Sequence, residues 1–142
     1  TGGASQAVQY VLAQMEIPFD LVSRNPATGN YTYDEVSDEV IGSHRLIINA
    51  SPVGMHPNVE EAPRIPYAFV TPSHYLFDLI YNPAETLFLQ YGAQRGAHTC
   101  NGHARRAGGS CLGHMEPKGI LRHGSTDLIE AGFISDDFVL RT

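Results

Sequence analysis

The amino-acid order predicts an α/β fold, a doubly wound parallel sheet with helices on both faces. Three observations predict it. A turn of small residues, Thr1-Gly2-Gly3-Ala4-Ser5, leads into a run with helical periodicity. A short strand ending in a basic residue follows it. Continuous apolar runs then recur at the spacing of sheet strands separated by helices.

In the first helix Val8, Val11, Leu12 and Met15 recur at three and four residues, and Pro18 stops the pattern just after Ile17. Small residues at a helix head let backbone N–H groups approach a pyrophosphate, and the helix N-terminus adds partial positive charge. Phe19 to Ser23 reads as a strand with Arg24 at its carboxyl end. In a dinucleotide fingerprint, an acidic residue about 20 positions past the glycines binds a free ribose 2′-OH, and an arginine accommodates a 2′-phosphate. Arg24 therefore points to NADP over NAD, against the plainer reading of a solvated surface charge. The opening glycine of the G-x-G-x-x-G pattern and the strand before it would precede Thr1. The sheet is accordingly expected to be Rossmann-like but truncated before its first, central strand, with unpaired backbone there, and the chain to be a fragment of a longer product.

Leu46 to Ala50 is a continuous apolar run apart from Asn49, as expected of a strand covered on both faces, and it ends in Ser51-Pro52-Val53-Gly54-Met55. Ligands of doubly wound sheets sit beyond the carboxyl ends of strands, so Asn49 to Met55 is expected to border the nicotinamide. Pro57 to Pro72 is proline-rich with few periodic residues and reads as a surface loop. Tyr75 to Tyr81 is the next strand. A helix through Thr86, Leu87, Leu89 and Gln90 follows, ended by Gly92 or Gly96, and Ala97 to Cys100 is a short final strand.

Composition fits a piece of an ordinary enzyme. The 142 residues suit one domain, and a formal net charge of −6 argues against a nucleic-acid surface and suggests a cytoplasmic protein. No stretch is long and apolar enough to span a membrane, and no signal peptide opens the chain. Cys100 and Cys111 are too few for a disulfide framework. His44, His56 and His74 fall at strand or loop edges and read as surface residues rather than bases.

Together Gly2-Gly3-Ala4-Ser5, Ser23-Arg24-Asn25, Asn49-Ala50-Ser51-Pro52-Val53-Gly54-Met55, Asp78-Leu79-Ile80-Tyr81-Asn82-Pro83-Ala84-Glu85-Thr86 and Asn101-Gly102 resemble the C-terminal, NADP-binding domain of shikimate dehydrogenase, across residues 1–102. The resemblance implies an NADP-dependent oxidoreductase that interconverts 3-dehydroshikimate and shikimate, with quinate-type relatives as near neighbours. It further implies that Thr1, Gly2, Gly3 and Ala4 line the pyrophosphate, and that Ser23, Arg24 and Asn25 hold the 2′-phosphate. Asn49, Leu79 and Gly102 would border the nicotinamide, and Tyr81 would reach the shikimate carboxylate. Asn25 stands where many members have threonine. For Asp78 a functional role and a loop-capping role are equally open. The family's catalytic lysine and aspartate belong to an N-terminal domain absent here. The chain alone is thus expected to bind cofactor without turnover, and to meet shikimate only with that domain present.

Residues 103–142 depart from the family. His98-x-Cys100-x-x-His103 with Cys111-x-x-His114 has zinc-like spacing, so a nucleotide-binding or zinc-binding product without enzymatic activity is the alternative. The family instead closes on a helix of the form N-G-x-x-M-L-x-x-Q-A-E-A-A-W-x-I-W. Read from the second base of each codon, His103 and Ala104 can give Met and Leu, and Ala107 to Cys111 can give Gln-Ala-Glu-Ala-Ala. Leu112 to His114 can give Trp-Asp-Ile, and Met115 before Glu116 must give Trp, because ATG-GAR contains TGG. A frame disruption just after Gly102, with the zinc spacing accidental and no metal bound, is the preferred expectation.

Overall fold

The computed structural model describes residues 3–101 and 138–141. Helix α1 spans Gly3–Gln14 and strand β1 spans Asp20–Val22. Helix α2 covers Asp38–Ser43, and β2, β3 and β4 cover Leu46–Asn49, Tyr75–Asp78 and His98–Asn101. Helix α3, Leu87–Gln94, joins β3 to β4, and β5 is Phe138–Arg141. Single 3-10 turns stand at Tyr33–Glu35 and Tyr67–Phe69.

The five strands form one sheet in the order β1-β5-β2-β3-β4. β2 pairs parallel with β3, and β3 with β4, while β5 runs antiparallel to both β1 and β2. β1 to β4 therefore point the same way, as the sequence implies, and β5 opposes them. The expectation of an all-parallel sheet with unpaired backbone beside β1 is corrected on this point. Val139 is paired with Leu21 on one side and Ile48 on the other, so the position between β1 and β2 is filled. Backbone groups in the middle of a sheet demand partners, and a strand of either direction supplies them.

Alternation along the strands sends side chains to two cores. Leu21 and Ile48 pack with Val8, Leu12 and Ile17 on the α1 side. Val22, Ile47 and Leu76 pack with Ile41 of α2 and with Phe88 and Leu89 of α3 on the other side. This is the α/β, doubly wound, Rossmann-like arrangement.

The element ends show why the boundaries fall where they do. α1 closes three residues before the sequence pattern suggests, because Ile17 N–H donates to Leu12 O (2.9 Å) and Glu16 N–H to Ala13 O (3.0 Å). That double closure needs a left-handed residue, and Glu16 takes it at φ 55°. α3 ends the same way at Gly96 (φ 79°), with Gly96 N–H donating to Ala93 O and Ala97 N–H to Gly92 O, each 3.0 Å. Of the two glycines expected to end α3, Gly96 does so. Gly92 lies inside the helix, where it lets α3 sit against Leu76. The strand expected through Tyr81 stops at Asp78, whose side chain captures the next turn as described below.

Two histidines correct the sequence reading. His44 and His74 are buried rather than surface residues, and His56 is exposed. His44 Nε2 lies 2.9 Å from Asp20 Oδ2 and its Nδ1 2.7 Å from Val40 O, clasping the start of β1 to α2. His74 Nδ1 accepts from Thr71 N–H at 2.9 Å, and its Nε2 reaches Ile41 O at 2.9 Å. Each ring takes up a carbonyl near the end of α2, Val40 O for His44 and Ile41 O for His74, and burial follows.

Candidate functional site

The register aligns a row of polar residues across the carboxyl ends of the strands. Asn49 is opposite Asp78, and Asp78 is opposite Asn101. All three are buried, Asn49 and Asp78 completely at 0% exposure. Burying so much polar surface is costly unless every group is paired.

Asp78 does most of the pairing. Its Oδ1 accepts from Asn49 Nδ2 (3.1 Å) and from the Ile80 N–H (3.0 Å), and its Oδ2 accepts from Thr86 Oγ1 (2.5 Å). Asn49 Oδ1 in turn accepts from Ser51 N–H (3.0 Å) and Ser51 Oγ (2.6 Å), which turns the chain sharply out of β2. Leu79 N–H donates to Asn49 O at 3.1 Å, and His56 N–H donates to Asn82 O at 3.1 Å, so the loops leaving β2 and β3 are tied twice more. Thr86 caps α3 by accepting from Leu89 N–H, and Asn101 Nδ2 donates to Ala84 O. Gly54, at φ 96°, approaches Glu61 O so closely that a Cβ would stand 2.9 Å from it, so only glycine fits this bend. Burial pushes the Asp78 carboxyl up to about 6, against the lowering effect of the bonds from Thr86, Ile80 and Asn49. At neutral pH it is therefore the ionised hub of the network, with two donors on Oδ1 and one on Oδ2.

A second part of the candidate site is the turn after β1. Ser23 is buried, with its Oγ 2.9 Å from Thr28 Oγ1 and accepting from Asn25 N–H at 3.2 Å. Asn25 Oδ1 accepts from Ala27 N–H at 3.0 Å, and Asn30 closes the turn by accepting from Leu21 N–H at 2.8 Å. Gly29 is packed where a Cβ would lie 2.9 Å from Leu21 O. Arg24 and Asn25 are left exposed at the rim. α1 runs back along β1, which brings Gly3 and Ala4 at its N-terminus to the same end of the sheet.

Among the expected site residues, Gly3, Ala4, Ser23, Arg24, Asn25, Asn49, Leu79 and Tyr81 thus gather at the carboxyl ends of β1, β2 and β3. Tyr81 is 64% exposed there, and Leu79 is half-buried. Thr1, Gly2 and Gly102 lie outside the described residues, as do His103, Cys111 and His114 of the zinc-like spacing and the rest of the 103–142 tail apart from 138–141. His98 is exposed and stacks on Tyr75 (4.6 Å between rings), and Cys100 is buried; among the described residues no cluster of three metal-binding side chains occurs. Sequence reasoning missed Ser51 and Thr86 as the partners that close the network. The signals were there in the Asn-x-Ser step at 49–51 and in a threonine at a helix N-cap position.

The fold is an α/β domain with a buried polar network and loops at the carboxyl ends of its strands, the end at which sheets of this class take nucleotide ligands. No family model matches the chain. Among curated proteins it is similar to shikimate dehydrogenases (NADP(+)). The one from Desulforamulus reducens is 46% identical over 59 residues, 42% of this chain and 20% of that protein. Those from Carboxydothermus hydrogenoformans and Methanococcus maripaludis are 40% and 34% identical over 115 and 116 residues, 71% and 72% of this chain and 41% of each relative. The chain thus spans about two fifths of the length of the longer matches. Among solved structures, a chorismate mutase/shikimate 5-dehydrogenase fusion protein from Clostridium acetobutylicum is 35% identical, with a TM-score of 0.47 over 56% of this chain and 31% of that one. No helix among the described residues is long and apolar enough to cross a membrane.

Proposed function

We propose that residues 1–102 are the cofactor-holding part of an NADP-dependent shikimate dehydrogenase, a shikimate-pathway oxidoreductase that interconverts 3-dehydroshikimate and shikimate. The observation that carries this is the convergence of the α1 N-terminus, the Arg24 turn and the Asn49–Asp78 network at one end of the sheet, in a chain similar to enzymes of that name. In this reading the pyrophosphate lies over Gly2, Gly3 and Ala4, where helix N–H groups and the helix dipole meet negative charge. Arg24 and Asn25, exposed at the rim, take the 2′-phosphate, while Ser23 is spent inside the turn and shapes it. Asn49, Leu79 and Gly102 border the nicotinamide, and Tyr81 reaches toward the substrate carboxylate. When bound, NADPH would supply the hydride for reduction of the carbonyl, and NADP+ would accept it in the reverse direction; these residues would bind and orient the cofactor.

Hydride transfer also requires a general acid for the alkoxide and a held carbonyl. By the resemblance, the residues that supply that acid belong to the family's N-terminal domain and not to residues 1–102. The isolated chain is therefore expected to bind NADPH and to show no shikimate-dependent NADPH formation. The residues past 102 are proposed to be read out of frame, in keeping with matches that cover some seven tenths of the chain. The cytoplasm is the proposed location.

Titration with NADPH and NADH tests the cofactor reading. NADPH is expected to bind more tightly than NADH, and Arg24→Ala is expected to cost on the order of 1.5–3 kcal/mol of NADPH affinity, the scale of a charged hydrogen bond. NADPH affinity unchanged by Arg24→Ala would remove the assignment of the 2′-phosphate site.

A further inference from the structure

Asp78 is the one completely buried carboxylate among the described residues, and nothing in the proposed chemistry consumes it. Its three donors come from three different segments. Asn49 ends β2 and, through Ser51, fixes the 51–55 turn. The Ile80 N–H belongs to the turn leaving β3. Thr86 begins α3. The Arg24 turn is closed by a separate set of bonds among Leu21, Ser23, Asn25, Thr28 and Asn30, none of which reaches Asp78. The two sets of bonds share no residue.

We propose that Asp78 is a positioning residue for the nicotinamide half of the cofactor alone: its carboxylate locks the loops leaving β2 and β3 against α3, and it does nothing for the adenosine half. The inference rests on the cofactor reading above. A network of buried polar groups fixes one arrangement because each donor left without its acceptor carries a desolvation penalty. Removal of the carboxylate frees the Asn49 amide, the Ile80 N–H and the Thr86 hydroxyl together, and the loops beside Leu79 and Gly54 lose their common anchor. An asparagine at 78 keeps the shape and an acceptor oxygen, and the Thr86 hydroxyl can accept from its amide.

The experiment uses the full chain and two probes, NADPH and 2′,5′-ADP, which carries the adenosine end and lacks the nicotinamide. Asp78→Ala is expected to weaken NADPH roughly tenfold or more while 2′,5′-ADP affinity holds within about twofold, and Asp78→Asn to restore most of the loss. Thr86→Val, which removes one donor and keeps the carboxylate, is expected to produce the same selective loss at smaller size and serves if Asp78→Ala does not fold. Equal loss of both probes in folded variants, or NADPH affinity untouched in both Asp78→Ala and Thr86→Val, overturns the proposal. A wild-type chain that binds 2′,5′-ADP and gains nothing from the nicotinamide half also overturns it and leaves the Arg24 site standing. A wild-type chain that binds neither probe sinks the cofactor reading, and the positioning role with it.

Discussion

At the residue scale, Asp78 shows how one side chain can be costly for stability and still define a site. Its carboxyl titrates near 6 in the fold and near 3.8 when exposed, so the folded state favours the protonated form. The stabilising contribution of that proton is fully present below about 3.8 and is lost as the pH rises through about 6. Asp78→Asn removes this dependence. It is expected to gain stability relative to the native chain across that window, by a difference on the order of 3 kcal/mol, read as denaturation midpoints at pH 4 and pH 7. A flat difference would show that the carboxylate is not buried in solution. Gly92 makes the opposite point about packing. A Cβ there would stand 2.5 Å from Leu76 Cδ2 and 3.4 Å from Thr99 Cγ2, and Leu76 is itself enclosed. Gly92→Ala is therefore expected to lose about 1 kcal/mol in thermal unfolding despite the better helix propensity of alanine. The motif around Asp78 was readable in the sequence, but its role was not. Capping and function leave the same letters, and only the three converging donors separate them.

At the element scale, the helix ends expose a contrast that the chain could remove. α1 and α3 close with the same pair of backbone bonds, yet α3 places glycine in the left-handed position and α1 places Glu16 there. A non-glycine residue in that conformation is strained by roughly 1 kcal/mol. Glu16→Gly is expected to raise the unfolding midpoint, with a gain of about 0.5–1 kcal/mol by chemical denaturation. Pro18 led the sequence reading to run α1 too far, because a proline marks where a helix cannot continue, not where it closes. The missed α2 has a different cause. Its six residues, Asp38–Ser43, bury only Ile41, too few for a periodic stripe, although Ser37 caps it by accepting from Val40 N–H. β2 was legible almost to the residue because a strand buried on both faces needs an unbroken apolar run.

At the scale of the whole molecule, the sheet is held together by a pairing that no local pattern announces. β5 stands between β1 and β2 and pairs with both, with Val139 in register with Leu21 on one side and Ile48 on the other. Proline at 139 would remove a donor in the interior of the sheet, and Val139→Pro is expected to cost about 3 kcal/mol or more, with loss of amide-exchange protection at Val22 and Ile48, which face β5 in the register. Retained protection at those amides would mean that β5 does not hold the sheet in solution. Sequence by itself determined the α/β class and the direction of β1 to β4. Those follow from short-range periodicity and from strands that alternate with helices, so each can be read a segment at a time. Only the tertiary structure decided that β5 fills the gap, that His44 and His74 go inside, and that Asp78 joins three loops. Each of those depends on partners distant in the chain, whose hydrogen bonds are settled by which buried groups would otherwise go unpaired.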